Sequence, residues 1–204
     1  MPPGVGGVAM VYVVSRAIVR RLLSIVFLVK SIGAEREPAT GPVVVCGNHR
    51  SFLDPPIIAC YLRRQVTFLA KAELFRVPVL SWFIRSCGAF PVQRGGMSME
   101  TMKTAIKVLK DGGMLVVFPE GTRQKTEKLG EGKKGAASMA LRSKANILPV
   151  AIIGKYKPFR RLKVVYGEPF DAAEAVAHLP PAEQADALTV KIMSAIQDLL
   201  DRHR

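Results

Sequence analysis

A histidine and an aspartate five positions apart stand where an apolar run gives way to a polar loop. They are His49 and Asp54, in the segment GNHRSFLD at residues 47–54. A neutral imidazole is a natural general base near pH 7, and a carboxylate partner orients the ring and stabilises its charged form. Five residues across a strand-to-helix turn can bring the two side chains together, so the pair is a candidate for proton transfer. A local role suits the same residues, because Ser51 and Asp54 fit a capping box and Asp54 before Pro55 fits a helix N-cap.

Two further loops place an arginine at the end of a predicted strand. They are FPEGTR at residues 118–123 and GAFPVQR at residues 88–94. Glycine permits close approach of the backbone to a ligand, while threonine and arginine side chains can donate hydrogen bonds to an oxyanion or a phosphate. Taken singly, each loop is more simply interpreted as a surface turn with a solvated arginine.

Apolar strands that alternate with helices must position these loops. Strands are predicted at residues 42–47, 65–70, 89–93, 114–118, 147–153 and 162–166. Helices are predicted at residues 55–62, 77–86, 98–110, 136–144 and 182–202, with a long polar loop at residues 119–134. Near-continuous apolar strands between helices predict an α/β fold with a mixed, largely parallel sheet covered by helices on both faces.

The charge balance narrows the class of partner. The 204 residues include 30 lysines and arginines against 16 acidic residues, for a net charge of +14, yet 49% of them are hydrophobic. This apolar fraction excludes a disordered basic tail, and the net charge points to an anionic partner, either nucleic acid or a membrane surface. Aromatic residues are not interleaved with the basic clusters as stacking on bases would require, which disfavours nucleic acid. The three cysteines form no C-x-x-C pair and suit reduced thiols in the cytoplasm, and no metal-ligand spacing occurs.

The N-terminal segment is the strongest candidate for membrane contact. Residues 8–32 are largely apolar, but four basic residues interrupt them, so a bilayer crossing is disfavoured. On a helical wheel one arc is polar: Tyr12, Arg16, Arg20, Ser24, Lys30 and Ser31. The opposite arc is apolar: Val11, Val14, Ile18, Leu22, Ile25 and Val29. We predict an amphipathic membrane-interface helix within residues 1–36, its basic arc meeting anionic lipid, followed by a catalytic domain at 37–204. Packing of this helix on its own domain is the alternative, in which case another basic-aromatic surface, such as KYKPFRR at 155–161, would contact the membrane.

The motifs occur together in a specific order. Asn48 with the His49/Asp54 pair, GAFPVQR, FPEGTR and the apolar segment LPVAI at residues 148–152 follow one another along the chain. In this combination the chain resembles the 1-acylglycerol-3-phosphate acyltransferases of the glycerolipid acyltransferase family, over residues 42–153. The resemblance implies transfer of a fatty acyl group from a coenzyme A or acyl-carrier-protein thioester to the sn-2 hydroxyl of 1-acylglycerol-3-phosphate. The product would be phosphatidic acid, a precursor of phospholipids.

The same resemblance implies roles for individual residues. His49 would take the proton from the acceptor hydroxyl and Asp54 would orient its imidazole, with no covalent acyl-enzyme, no metal and no other cofactor. Four basic side chains would bind the substrate phosphate: Arg94, Arg123, Lys71 and Lys133. Four further residues would shape the site: Asn48, Glu120, Gly121 and Thr122. Glu120 would either orient an arginine or serve a structural role, and backbone N–H groups near residues 47–50 or at a helix start are candidates to stabilise the oxyanion.

The resemblance also implies partners and a location. We expect a peripheral or monotopic protein on the cytoplasmic face of the cell membrane, with lysophosphatidic acid and a thioester donor as substrates. Another acceptor of the same family, glycerol-3-phosphate or another lysolipid, is an alternative. A non-catalytic lipid-binding protein on the same fold is a second. The lysines between Lys103 and Lys144 exceed what one phosphate needs, and we interpret them as a docking surface for an acyl carrier protein.

Overall fold

The structure is a computed structural model that describes residues 5–78, 81, 84, 88–92, 98–124, 126 and 128–204. In this part of the chain the α-helices are α1 (Val5–Phe27), α2 (Asp54–Tyr61), α3 (Met99–Lys110), α4 (Gly135–Ser143) and α5 (Pro181–His203). The strands are β1 (Val29–Ile32), β2 (Val43–Gly47), β3 (Val66–Lys71), β4 (Ala89–Val92), β5 (Met114–Val117), β6 (Asn146–Gly154), β7 (Leu162–Tyr166) and β8 (Phe170–Asp171).

The strands form one mixed sheet in which parallel pairs predominate. Their order is β1-β7-β6-β2-β5-β3-β4, and β8 pairs with the start of β6. Strand β2 lies between β5 and β6 and is parallel to both, with Val45 opposite Val116 on one side and Leu148 on the other. Only the pairs of β6 with β7 and with β8 are antiparallel among the described strands. The carboxyl ends of β2, β5 and β6 therefore meet at one edge of the sheet, where the motif loops begin.

Helices cover both faces of the sheet, as predicted. Alternate residues of a strand point to opposite faces, and β2 is buried along its whole length. Val44 and Cys46 pack with residues of α3, α4 and α5, whereas Val43 and Val45 pack with residues of α1 and α2. The near-continuous apolar character of this strand is thus a consequence of burial on both sides.

The predicted helix over residues 8–32 is too long at its C-terminal end. Helix α1 stops at Phe27, Leu28 adopts a positive φ of 44°, and Val29–Ile32 forms β1. This strand runs parallel to β7, with Val29 opposite Leu162, so pairing with a distant strand replaces continuation of the helix. The last residues of the predicted N-terminal segment belong to the sheet, and a domain boundary after residue 36 stays a prediction. The helix predicted at residues 77–86 lies largely outside the described residues.

Helix α1 is amphipathic, but its polar arc faces the protein. The hydroxyl of Tyr12 accepts a hydrogen bond from the Val66 N–H at 3.2 Å, and Ser24 bonds the Tyr61 hydroxyl at 2.8 Å. Arg16 Nη1 donates to main-chain carbonyls at the end of α2, 2.6 Å from Leu62 O. The opposite arc points away from the domain, with four side chains between 51% and 56% exposed: Val14, Ile18, Leu22 and Ile25. The prediction that the basic arc meets lipid is therefore wrong for Arg16.

No α-helix within the described residues combines the length and the apolar character that a bilayer crossing requires.

Candidate active site

His49 lies in the loop between β2 and α2, with its imidazole fixed by a buried carboxylate. Its Nδ1 is 2.8 Å from Oδ2 of Asp54, and the Asp54 side chain is fully buried. The same Oδ2 accepts hydrogen bonds from the main-chain N–H groups of Arg50 at 2.6 Å and Ser51 at 2.7 Å. Because an ionised carboxylate can only accept, Nδ1 is the donor of this hydrogen bond, and in the neutral imidazole Nε2 then has a free lone pair. Nε2 is thus the atom that can take a proton from a hydroxyl.

The capping contact of Asp54 and its contact with His49 occur together. Leu53 occupies the N-cap position of α2, and Asp54 is its first helical residue. The carboxylate accepts from Ser51 N–H, as in a capping box, but the Ser51 hydroxyl accepts from Leu53 N–H and not from Asp54. A carboxylate in the first turn also suits the positive end of the helix dipole. The Asp54 side chain therefore both stabilises the first turn of α2 and fixes the orientation of the imidazole.

The ring of Phe118 packs against one face of the His49 imidazole. It stacks on the His49 imidazole, with centroids 4.0 Å apart and planes at 14°. With Nδ1 tied to Asp54 and one face against Phe118, the imidazole has little rotational freedom. Phe118 belongs to the FPEGTR motif, but the pattern alone assigned it no role.

Glu120 fixes the main chain of the loop that carries His49. Its side chain is buried, its Oε1 accepts from the His49 N–H at 2.8 Å, and its Oε2 accepts from the Gly130 N–H at 3.0 Å. The Gln124 N–H in turn donates to the His49 carbonyl at 2.8 Å. Of the two roles considered for Glu120, these contacts correspond to the structural one. They also remove the His49 N–H, like that of Arg50, from the candidate oxyanion donors.

Strand β6 holds the loop from the other side. Asn48 exchanges two hydrogen bonds with the main chain of Ile152, accepting from its N–H at 2.7 Å and donating to its carbonyl at 3.0 Å. Arg50 Nη1 donates to the Gly154 carbonyl at 2.8 Å. Asn48 thus extends the pairing of β2 with β6 beyond the end of β2.

Two of the predicted phosphate-binding residues, Arg123 and Lys133, lie at this edge in the described part of the chain. Arg123 is exposed, with its guanidinium carbon 3.5 Å from the centroid of the Phe52 ring. The aliphatic part of Lys133 passes over Gly121, since a Cβ there would lie 3.1 Å from Lys133 Cδ.

Glycine also suits position 121 because its φ is +71°. Thr122 is exposed next to it. Lys71 is the last residue of β3, with its side chain outside the description, and Arg94 lies outside the described residues.

An apolar cavity of about 530 Å³ opens at His49. Its polar lining residues are Tyr12, Ser15, Arg16, His49 and Arg123. The remaining walls are apolar: Val19, Phe52, Leu53, Pro55, Pro56, Ala59, Cys60, Phe68, Leu69, Ala70, Leu74, Ile84 and Phe118. The volume is in the range of pockets that bind small molecules, and the lining suits a hydrocarbon chain.

A tyrosine outside the motifs also reaches the site. The Tyr156 hydroxyl donates a hydrogen bond to Oδ1 of Asp54. Burial and the adjacent carboxylate raise the pKa of Tyr156 far above its ordinary value, so the hydroxyl keeps the proton that it donates. Tyr156 belongs to the segment 155–161 that the sequence indicated as a membrane-contacting surface, and no spacing pattern linked it to Asp54.

Comparisons with known proteins identify the family of the chain. The acyltransferase family model matches residues 28–153. The chain is 33% identical over 177 residues to the 1-acyl-sn-glycerol-3-phosphate acyltransferase of Bacillus subtilis, covering 84% of this chain and 87% of that protein. It is 33% identical over 138 residues to the enzyme of the same name from Streptococcus pneumoniae, covering 64% of this chain and 51% of the longer relative.

A solved structure has the same fold. The crystal structure of the 1-acyl-sn-glycerophosphate acyltransferase from Thermotoga maritima superposes with a TM-score of 0.73 at 24% identity. The match covers 97% of this chain and 80% of that one. On the family match and the extent of the Bacillus relative, the chain belongs to the acyltransferase family.

Proposed function

We propose that this protein transfers a fatty acyl group from a thioester donor to the sn-2 hydroxyl of 1-acylglycerol-3-phosphate, which gives phosphatidic acid. The observation that carries the proposal is the His49–Asp54 pair at the wall of an apolar cavity that Arg123 also lines. In such substrates His49 would act on the hydroxyl, the apolar cavity would hold the acyl chain, and Arg123 would bind the phosphate. The names of the Bacillus and Streptococcus relatives support this choice of acceptor.

The geometry supports direct transfer. His49 Nε2 takes the proton of the sn-2 hydroxyl while the oxygen attacks the thioester carbonyl carbon, so that a C–O bond forms. Collapse of the tetrahedral intermediate breaks the C–S bond, and the departing thiolate takes the proton from the imidazolium, which returns His49 to its neutral form. Asp54 stabilises the imidazolium between these steps, and Glu120 holds the loop in place.

We assign Arg123 and Lys133 to the binding of the acceptor phosphate. We assign Lys71 and Arg94 to the same phosphate on the resemblance alone, because their side chains lie outside the described part of the structure. The donor is a coenzyme A or acyl-carrier-protein thioester. The carrier protein would dock on the lysines between Lys103 and Lys144, of which Lys107 is largely exposed. No cofactor takes part in this scheme.

The acceptor assignment is tested with a panel of acceptors that differ only in the headgroup. We expect purified protein with an acyl-CoA donor to acylate lysophosphatidate much faster than monoacylglycerol or glycerol-3-phosphate. We expect Arg123→Ala to raise the KM for lysophosphatidate about 10- to 100-fold with little change in the donor KM, since a charge-assisted contact to phosphate is lost. Arg142→Ala, an exposed arginine on α4, is the matched control. Equal rates with all acceptors, or an unchanged lysophosphatidate KM in Arg123→Ala, would refute this assignment.

We also propose that α1 lies in the interface of the cytoplasmic leaflet with its outward apolar arc in the lipid. Phe159 extends this surface, because it is 73% exposed and its N–H donates to the Val26 carbonyl at 2.6 Å. The exposed cations beside it, Lys155, Lys157, Arg160 and Arg161, are placed to meet anionic headgroups. In this proposal these cations, and not Arg16, make the contact with anionic lipid that the sequence predicted for the basic arc of the helix.

Vesicle binding tests the direction in which α1 faces. We expect Ile18→Gln with Leu22→Gln to weaken binding to phosphatidylglycerol-containing vesicles by at least tenfold, because two half-exposed apolar side chains lose their contact with lipid. Arg16→Gln should bind vesicles like the wild type, since its guanidinium faces carbonyls of the domain. Val190→Gln, at an apolar position on α5 that is 69% exposed, is the control in a sedimentation assay. Unchanged binding of the double variant, or loss of binding in Arg16→Gln, would contradict the proposed orientation.

A further inference from the structure

The carboxylate of Asp54 makes different contacts through its two oxygens. Oδ2 accepts from His49 Nδ1 and from the N–H groups of Arg50 and Ser51. Oδ1 accepts from the hydroxyl of Tyr156, which comes from a part of the chain 102 residues away. Because Asp54 is fully buried, the orientation of its carboxylate depends on these protein donors and not on bulk water.

Tyr156 is itself held in place by helix α1. Its ring packs edge-on against Phe27, with centroids 5.6 Å apart and planes at 79°. The following residues are tied to the same helix, since Phe159 N–H donates to the Val26 carbonyl. The hydroxyl thus reaches Asp54 from a ring whose position is fixed.

We propose that Tyr156 is a positioning residue for the acyl transfer, and that the working unit is the chain His49–Asp54–Tyr156. This inference rests on the proposed function. A hydroxyl on Oδ1 resists rotation of the carboxylate about its Cβ–Cγ bond and so keeps Oδ2 directed at Nδ1 of His49. The hydroxyl also stabilises the negative charge of the carboxylate, which weakens the hydrogen bond between Oδ2 and His49 Nδ1. Tyr156 acts through Asp54 and does not touch the reacting atoms.

The kinetic test compares two tyrosine-to-phenylalanine variants. Tyr156→Phe removes the hydroxyl and keeps the ring against Phe27. Tyr61→Phe is the matched control, because it removes a single hydrogen bond between α1 and α2, to Ser24, and none to Asp54. We expect Tyr156→Phe to lower kcat about 10- to 100-fold with both KM values within twofold, as a misdirected base reduces turnover and not binding. Tyr61→Phe should keep kcat within threefold.

A packing control separates the hydroxyl from the ring. Phe27→Leu removes the ring contact and leaves the hydroxyl. We expect it to lower kcat clearly less than Tyr156→Phe does, because the hydrogen bond to Asp54 still positions the ring. A loss in Phe27→Leu as large as that in Tyr156→Phe would assign the effect to packing and overturn the proposal. Thermal unfolding, followed by circular dichroism, establishes that each variant is folded at the assay temperature.

An NMR measurement without substrate tests the effect of Tyr156 on the hydrogen bond between Asp54 and His49, independently of the reaction. The protein has three histidines, and the Nδ1–H proton of His49, bonded to a carboxylate, should give a downfield NMR resonance that is absent from His49→Ala. We expect this resonance to move further downfield in Tyr156→Phe, since Asp54 becomes a stronger acceptor when it loses a donor, and to stay in place in Tyr61→Phe. If the wild type failed to make phosphatidate, the proposed function would be wrong while this resonance still tested Tyr156. An unmoved resonance with an unchanged kcat in Tyr156→Phe would overturn the inference.

Discussion

Replacing His49 with alanine should lower kcat for phosphatidate formation by about 10³-fold, while the KM values for both substrates change little. The loss is large because Nε2 is the atom placed to take the hydroxyl proton, and general-base catalysis typically contributes about 10²- to 10⁴-fold. Substrate binding should persist, since the cavity walls and Arg123 do not depend on the imidazole. The measurement is steady-state turnover with lysophosphatidate and an acyl-CoA.

Two controls make this test specific: the replacement of a different, exposed histidine and the addition of imidazole to the His49→Ala variant. His178→Ala changes an exposed histidine and should leave kcat unaltered. Because His49 lines the cavity, imidazole added to the buffer can enter the space that the variant leaves, and we expect it to restore part of the rate. A His49→Ala enzyme that retained more than a third of wild-type turnover would rule out the assignment of His49 as base.

Asp54→Asn should lower kcat by roughly 10²- to 10⁴-fold, the range that general acid–base catalysis typically contributes, with only a modest loss of stability. The amide oxygen can take the place of Oδ2 and accept from Arg50 and Ser51, while the NH₂ group can donate to the Tyr156 oxygen. The fold is therefore retained. A neutral amide, however, does not stabilise the imidazolium that forms when His49 takes the proton.

Activity and stability must be measured together for this variant. Asp54→Ala should unfold at a lower temperature than Asp54→Asn, because it leaves the N–H groups of Arg50 and Ser51 buried without an acceptor, at about 1–3 kcal/mol each. Asp186→Asn breaks an exposed ion pair with Lys134 and should affect neither property by much. Near-normal turnover in Asp54→Asn would show that the charge of Asp54 is dispensable. Added imidazole should not rescue this variant, since its own imidazole still occupies the site.

The sheet and the contact between His49 and Asp54 are the features that the sequence predicts best. Strands β2 and β5 are short runs of apolar residues buried on both faces, and that burial is visible as composition. His49 and Asp54 lie five positions apart, so a single turn determines their geometry. Glu120 lies in a recognisable motif, but its role follows from contacts with His49 and Gly130 that no local pattern contains.

Contacts between distant segments account for what the sequence leaves open. Tyr156 reaches Asp54 across 102 positions, and β1 exists because β7 offers it a parallel partner about 130 positions away. Periodicity also shows that α1 has two unlike arcs without showing which one the protein covers. The interior contacts of Tyr12 and Arg16 are with the main chain of Val66 and Leu62, and hydrogen bonds of that kind leave no hydrophobic signature.

One wall of the cavity belongs to α1, through Tyr12, Ser15, Arg16 and Val19. The element proposed to meet the lipid is therefore not a detachable anchor. Exchanging this helix between relatives should carry acyl-chain selectivity along with the anchor, and grafting the remaining domain onto a foreign membrane tether would leave one side of its cavity open. If α1 binds the membrane as we propose, the same helix serves both attachment and selectivity, and variation in chain preference should be sought in its inward arc as well as in the motif loops.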